Sequence, residues 1–166
     1  MAAQTNRLRS RTMKKRLLSS SPRLFSVETA NKTLPLVSAI VRDLEPLWRA
    51  VNSSRKRIQH LTDGRDIEEG DPYADELRAM NERLSRDSEN VEGFVDELRE
   101  LGVEFRGSKV DCHACFPTML DGRLVYLSWR LGETEVTHWM DLDGDFEDRQ
   151  SLAVATAKLA FQVASI

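Results

Sequence analysis

The sequence predicts an α+β protein: a long antiparallel helical hairpin, then a small antiparallel β-sheet, then a C-terminal helix. Three observations predict it. Apolar residues recur at steps of four and three along two stretches that a polar loop separates, which is helical spacing. After Gly102 the period changes to short runs rich in β-branched and aromatic residues, which is strand character. The stretch 151–163 is rich in alanine, the strongest helix former.

The chain has 166 residues, 40% hydrophobic and 31% charged. That suffices for one modest core under a well-solvated surface. No apolar run approaches the roughly 18–20 residues that span a bilayer, and the polar stretch around Leu17-Leu18 holds no signal-peptide core. Two cysteines are too few for a disulfide framework, so the expected compartment is the cytoplasm. The net charge of −3 hides an asymmetry. Arg7, Arg9, Arg11, Lys14, Lys15, Arg16 and Arg23 lie in a segment without acids, leaving 17 of the 24 basic residues against all 27 acidic ones, a net of −10. Residues 1–22 therefore read as a disordered basic tail, with Met13 as an alternative start. The acidic remainder, 23–166, reads as a single domain that repels nucleic acid over most of its surface.

Order begins near Phe25. Ser26 is an N-cap, with Phe25 as its hydrophobic staple. A short helix over 27–33 follows, and Pro35 opens the next one. The hairpin is expected over 34–101. Val37, Val41, Leu44, Trp48, Val51 and Ile58 form the first stripe, with Arg55 at the missing position, and Ile40, Leu47 and Leu61 widen it. Pro46 kinks this helix without ending it, because the stripe continues in register. Residues 62–72 form the loop. Leu77, Met80, Leu84, Val91, Phe94, Leu98 and Leu101 form the second stripe, weakest at Asp87 and Ser88, and Gly102 caps it. Helices of this length run to roughly 40 Å. These stripes read as packing, with Trp48 buried in the middle. Strands are expected over 103–106, 109–116, 123–129 and 135–139, within a β-rich segment 103–140, with a turn at Asp121-Gly122. Tyr126 and Trp129, three residues apart, belong on opposite faces of their strand. An acidic loop over 141–148 precedes the C-terminal helix, 151–164.

Three groupings carry chemistry in principle. Cys112-His113-Ala114-Cys115, with His138 downstream, offers thiolate and imidazole ligands. On a strand, His113 and Cys115 share a face while Cys112 points the other way. The set to hold a metal is therefore His113, Cys115, His138 and Asp141, and zinc is the metal that suits it; otherwise no cofactor is expected. Asp141, Asp143 and Asp145 imitate the start of a calcium loop, but Phe146 stands where the turn needs glycine and Leu152 where glutamate belongs. Glu133, Glu135, His138, Asp141 and Arg149 hold acid–base groups without a matched nucleophile. No phosphate-binding glycine loop is present in the sequence, since Gly102, Gly107 and Gly122 are isolated.

Two stretches carry a likeness. The first is Leu24-Phe25-Ser26-Val27-Glu28-Thr29-Ala30-Asn31 followed by Leu34-Pro35-Leu36-Val37. The second joins Gly102-Val103-Glu104-Phe105-Arg106, Phe116-Pro117, Asp121-Gly122-Arg123, Val125-Tyr126-Leu127-Ser128-Trp129-Arg130-Leu131-Gly132-Glu133 and Trp139. Over roughly residues 23–152 the chain resembles the prokaryotic family catalogued as domain of unknown function 2203. The resemblance implies no activity. Some members bear a name linking them to a coiled-coil cell-division protein, which implies long helices. The family's Val-Asp-Phe-Pro is Ala114-Cys115-Phe116-Pro117 here, its Trp-His is Trp139-Met140, and its Gly-Phe-x-Gly-Arg is Asp145-Phe146-Glu147-Asp148-Arg149. A site built on that aspartate and histidine in relatives is not kept in this chain.

The reading favoured by these observations is a non-catalytic cytoplasmic interaction or scaffold protein, a homodimer through its hairpin with an unknown protein partner besides. The alternatives are a metal-binding protein or metal-dependent enzyme with its site in residues 112–149, and nucleic-acid binding through the basic tail.

Overall fold

The computed structural model describes residues 22–64, 72–107 and 112–153. The basic tail and most of the expected C-terminal helix lie outside them. Two helices, α1 (Val27–Thr62) and α2 (Pro72–Glu100), precede five strands: β1 (Glu104–Gly107), β2 (Cys112–Leu120), β3 (Arg123–Arg130), β4 (His138–Asp141) and β5 (Gln150–Ser151). The strands form one antiparallel meander in the order β1-β2-β3-β4-β5. The fold is therefore α+β, with the expected hairpin and sheet. A 3₁₀ turn, Phe146–Asp148, lies in the expected acidic loop, and the two-residue strand β5 reaches Ser151, where the C-terminal helix was expected to begin.

Helix α1 is one helix, where the sequence suggested a break at Pro35. Ser26 and Thr29 start it with a reciprocal capping box: Thr29 N–H donates to Ser26 Oγ at 3.1 Å and Ser26 N–H to Thr29 Oγ1 at 2.8 Å. Ala30, Leu34, Val37, Val41, Leu44 and Val51 are buried at the helical period on both sides of Pro35 and Pro46. Each proline removes one backbone bond, but both rings face solvent and the continuous buried stripe holds the register. Phe25 does more than staple. Its N–H donates to Pro117 O at 2.8 Å, and its ring meets Phe116 edge-on at 5.2 Å.

The hairpin is antiparallel. Arg23, beside the start of α1, donates to Leu101 O at the end of α2, and Arg55 reaches Ser88 at 3.4 Å midway. At the end of α2, Gly102 N–H returns to Arg99 O and Val103 N–H to Leu98 O. One face of the sheet packs on the helices. Phe105, Cys112, Ala114, Phe116, Val125, Leu127, Trp129 and Trp139 join the buried stripe of α1 and Val91 and Leu98 of α2 in one core. The turn from β2 to β3 is Asp121-Gly122, with φ of +50° and +73°. Two left-handed residues are the signature of the tight hairpin turn that matches strand twist. Tyr126 and Trp129 are on opposite faces, as expected.

Trp48 departs from expectation. It is half-buried at the junction of hairpin and sheet, edge-on to Phe105 at 5.4 Å. Its ring lies so close to Gly107 that a Cβ there would come within 2.4 Å of it. Gly107→Ala should therefore destabilise by about 1–3 kcal/mol, the usual penalty of overpacking. Trp48→Ala should cost about 2–3 kcal/mol, below a fully buried tryptophan. The double variant should be more stable than the sum of the two predicts, as urea unfolding of all four chains would show. Strict additivity would mean that the two groups do not touch.

Candidate functional site

The face of the sheet turned away from the helices holds most of the groups with chemistry. Strand parity and register decide which residues meet there. Cys115 pairs with Glu104 and Ser128, Ser128 with His138, and His138 with Ser151, so one row crosses all five strands. The neighbouring rows are Arg106-His113-Arg130 and Pro117-Tyr126-Met140. Among the described residues no helix covers this face. The segment 141–149 folds back over it as a strap. Leu142 joins Cys115, Tyr126 and Met140 in a small second core. Phe146 lies against His113 at 5.3 Å, with the guanidinium groups of Arg130 and Arg149 at 5.3 and 4.8 Å from its ring centre.

The charges on this face are held in pairs. Arg149, its side chain 8% exposed, donates to both carboxylate oxygens of Glu133 at 2.8 and 2.9 Å and to Ser128 O at 3.0 Å. Arg106 donates to Leu142 O at 2.6 Å and Gly144 O at 2.9 Å, and stacks over Tyr126 at 4.8 Å. Tyr126 O–H donates to Glu104 at 2.8 Å. Burial and the Glu104 carboxylate push the Tyr126 hydroxyl well above its ordinary value. Burial alone dominates at Cys115, whose thiol is pushed up to about 12 against the pull of Arg106. Glu133 is the opposite case. Burial disfavours its charge, but hydrogen bonds from Arg149 and the Arg130 N–H, with the charges of Arg149 and His138, hold its carboxyl below the ordinary value.

The expected metal set does not converge. His113, Cys115 and His138 do share this face, and Cys112 lies on the other, as strand parity requires. But β3 separates Cys115 from His138, a gap of about 10 Å at normal strand spacing, whereas zinc ligands must all lie within roughly 2.3 Å of one ion. Asp141, three residues beyond His138, falls on the opposite face and sits 3.7 Å from Arg123. Among the described residues no group of three or more His, Cys, Asp or Glu side chains could hold a metal ion. Of the acid–base grouping, Glu133 and Arg149 meet, His138 lies near them, and Glu135 is exposed. Asp141, Asp143 and Asp148 line a shallow hollow with Arg123, Leu124 and Gln150. Arg106 and Ser128 are not among the candidate site residues read from the sequence, because only register brings them to this face. Two of the departures from the resembled family's pattern, Cys115 and Met140, fall together in the second core beside Tyr126.

Two measurements follow from this geometry. Cys112 and Cys115 are both buried, and Cys115 carries a raised pKa, so neither thiol should react with a disulfide reagent at pH 8 in the folded protein, while both react in denaturant. Rapid labelling of Cys115 without denaturant would contradict the closed strap. Glu133→Gln leaves Arg149 without its counter-charge and should cost about 1–2 kcal/mol at neutral pH, less than a fully buried pair because Glu133 is half-buried. Because the folded pKa of Glu133 is depressed, its contribution is complete above the ordinary value of 4.5 and is lost as pH falls through the lower folded value. The difference in unfolding free energy between wild type and Glu133→Gln should therefore shrink below pH 4.5. A constant gap across the acid range would show that the pair is not ionised.

No curated protein and no solved structure matches this chain. The model of one family, described as an uncharacterised conserved protein family (DUF2203), matches residues 23–152. That span runs from the arginine before α1, through the hairpin and every strand, to the residue after β5, and the chain belongs to the DUF2203 family.

Proposed function

We propose that this protein is a non-catalytic interaction protein that self-associates through the distal half of its hairpin. One observation carries the reading. Trp48 marks where α1 leaves the sheet, at Phe105 and Gly107. The helix then continues for 14 residues to Thr62, about 21 Å at the helical rise. Along this distal half only two helices face each other. Ile58, Leu61, Met80 and Leu84 of the seam are half-buried, whereas Val37, Val41 and Leu44 under the sheet are fully buried. Two helices without a third layer leave apolar edges open, and a second hairpin would cover them.

Charge favours a second copy as the occupant. Over residues 50–61, α1 carries Arg55, Lys56 and Arg57 and no acid. Over 73–92, α2 carries Asp75, Glu76, Glu82, Asp87, Glu89 and Glu92 against Arg78, Arg83 and Arg86. A twofold arrangement that lays α1 of one copy along α2 of the other pairs the basic helix with the acidic one twice. The buried, high-pKa thiol of Cys115 supports a non-catalytic reading of the sheet's far face. Sedimentation equilibrium at micromolar concentration tests the proposal. The full chain should have the mass of a dimer, weakened by salt, and Leu61→Glu should give a monomer with unchanged helical circular dichroism. A monomer mass for the wild type over the whole concentration range overturns it.

A further inference from the structure

We propose that the sheet face beneath the strap 141–149 is a binding site for a small oxyanion of the phosphoryl class, and that the strap occupies it in the free protein with Phe146 as plug. The site is separate from the distal hairpin and stands whether or not the chain dimerises. Arg106, Arg130 and Arg149 reach this face from β1, the end of β3 and the end of the strap, and Glu104 and Glu133 are the carboxylates that meet them. Counting Arg149, which the strap itself supplies, three cations meet these two carboxylates.

The second observation is a surplus of buried donors. Ser128 is fully buried, and its hydroxyl has no hydrogen-bond partner among the described residues. The Nε of Arg149 and the Nε of Arg106 are buried in the same condition. Native proteins pair nearly all such groups, and one left over marks an absent partner. Ser128 stands at the centre of the row between Cys115 and His138, and Arg149 bonds its carbonyl. These three buried atoms lack an acceptor among the described residues. A phosphoryl group offers three acceptor oxygens pointing in different directions and requires no acceptor in return, whereas a carboxylate offers two in one plane.

The strap has the character of an internal stand-in. It carries Asp143, Asp145, Glu147 and Asp148 over the face that Arg106 and Arg130 share with Glu104 and Glu133. It fastens to that face through the two carbonyls that Arg106 holds, through Leu142 and through Phe146 amid His113, Arg130 and Arg149. Its own backbone is closed by local bonds, Gly144 N–H to Asp141 O and Asp148 N–H to Asp145 O. It can therefore lift as a unit. Lifting it releases the Nη donors of Arg106, uncovers Ser128 and removes carboxylates that repel an anion.

Titration of the full chain with inorganic phosphate against chloride at matched ionic strength, by calorimetry and thermal unfolding, tests the site. Phosphate also stabilises folded proteins by exclusion from their surfaces, so only a saturable response counts. The expected result is saturable binding that Phe146→Ala tightens about tenfold, by removing the ring that two guanidinium groups hold. Phe146→Leu, which keeps apolar bulk without the aromatic stack, reads the same release should the alanine variant fail to fold. Ser128→Ala should weaken binding by about tenfold or more, since it deletes a hydrogen bond to a charged group, and should keep the wild-type Tm in chloride. The proposal is overturned by an absence of saturable binding in wild type and Phe146 variant alike. Binding that Ser128→Ala leaves unchanged, or that the Phe146 variant does not tighten, also overturns it. So does a Ser128→Ala protein markedly less stable in chloride, because the hydroxyl then has a partner inside the protein.

Discussion

A five-stranded sheet has two faces to keep from water, and the described residues offer one helical hairpin with which to do it. The hairpin takes the face built from Phe116, Val125, Leu127, Trp129 and Trp139, where helix and sheet form the usual two packed layers. Among the described residues, the other face is left to the nine-residue segment 141–149. Such a strap brings little apolar surface: Leu142 and Phe146 are its contributions. What it cannot bury by hydrophobic contact has to be satisfied by hydrogen bonds and charge pairs, which is why arginine, tyrosine and glutamate meet behind the strands.

Two arginines from opposite edges of the sheet organise that polar layer. Arg106, on the edge strand β1, reaches across to the carbonyls of Leu142 and Gly144 and fixes the start of the strap. Arg149, at the end of the strap, clasps Glu133 with two parallel bonds and reaches the carbonyl of Ser128 on β3. The planar fork of guanidinium suits both tasks, and a lysine would perform neither as well. Between them Cys115 and Tyr126 sit with their protons firmly held. The layer thus holds fixed charges beside a neutral thiol and phenol.

The hairpin obeys a different balance along its length. Close to the sheet, side chains of α1 are wholly buried, and packing carries the helix through two prolines that local preference would set at a helix start or a kink. Farther out, Arg55 and Ser88 face each other across the seam where an apolar pair would continue the stripe. A polar contact at such a position fixes the register of two helices more than it stabilises them. Beyond it Ile58, Leu61, Met80 and Leu84 are half-buried while Leu77 is buried. One continuous pair of helices therefore serves as core at one end and as surface at the other.

What the sequence determined by itself was whatever depends on neighbours along the chain. The helical period of Val37, Val41, Leu44 and Val51, the strand character after Gly102 and the turn at Asp121-Gly122 are local properties, and the structure follows them. So is the opposition of Cys112 to Cys115 and of Tyr126 to Trp129, since strand parity needs no partner. Tertiary structure decided what depends on pairing across the fold. Continuity of α1 past Pro35 came from a buried stripe that local preference underweights, and Trp48 left the hairpin seam for Phe105 and Gly107 because the sheet begins there. The rows that place Glu104, Cys115, Ser128 and His138 side by side are set by register between strands distant in sequence. Register is chosen by the whole set of cross-strand contacts at once, so no local pattern could announce that Cys115 and His138 would stand a full strand apart, or that Ser128 would lie between them.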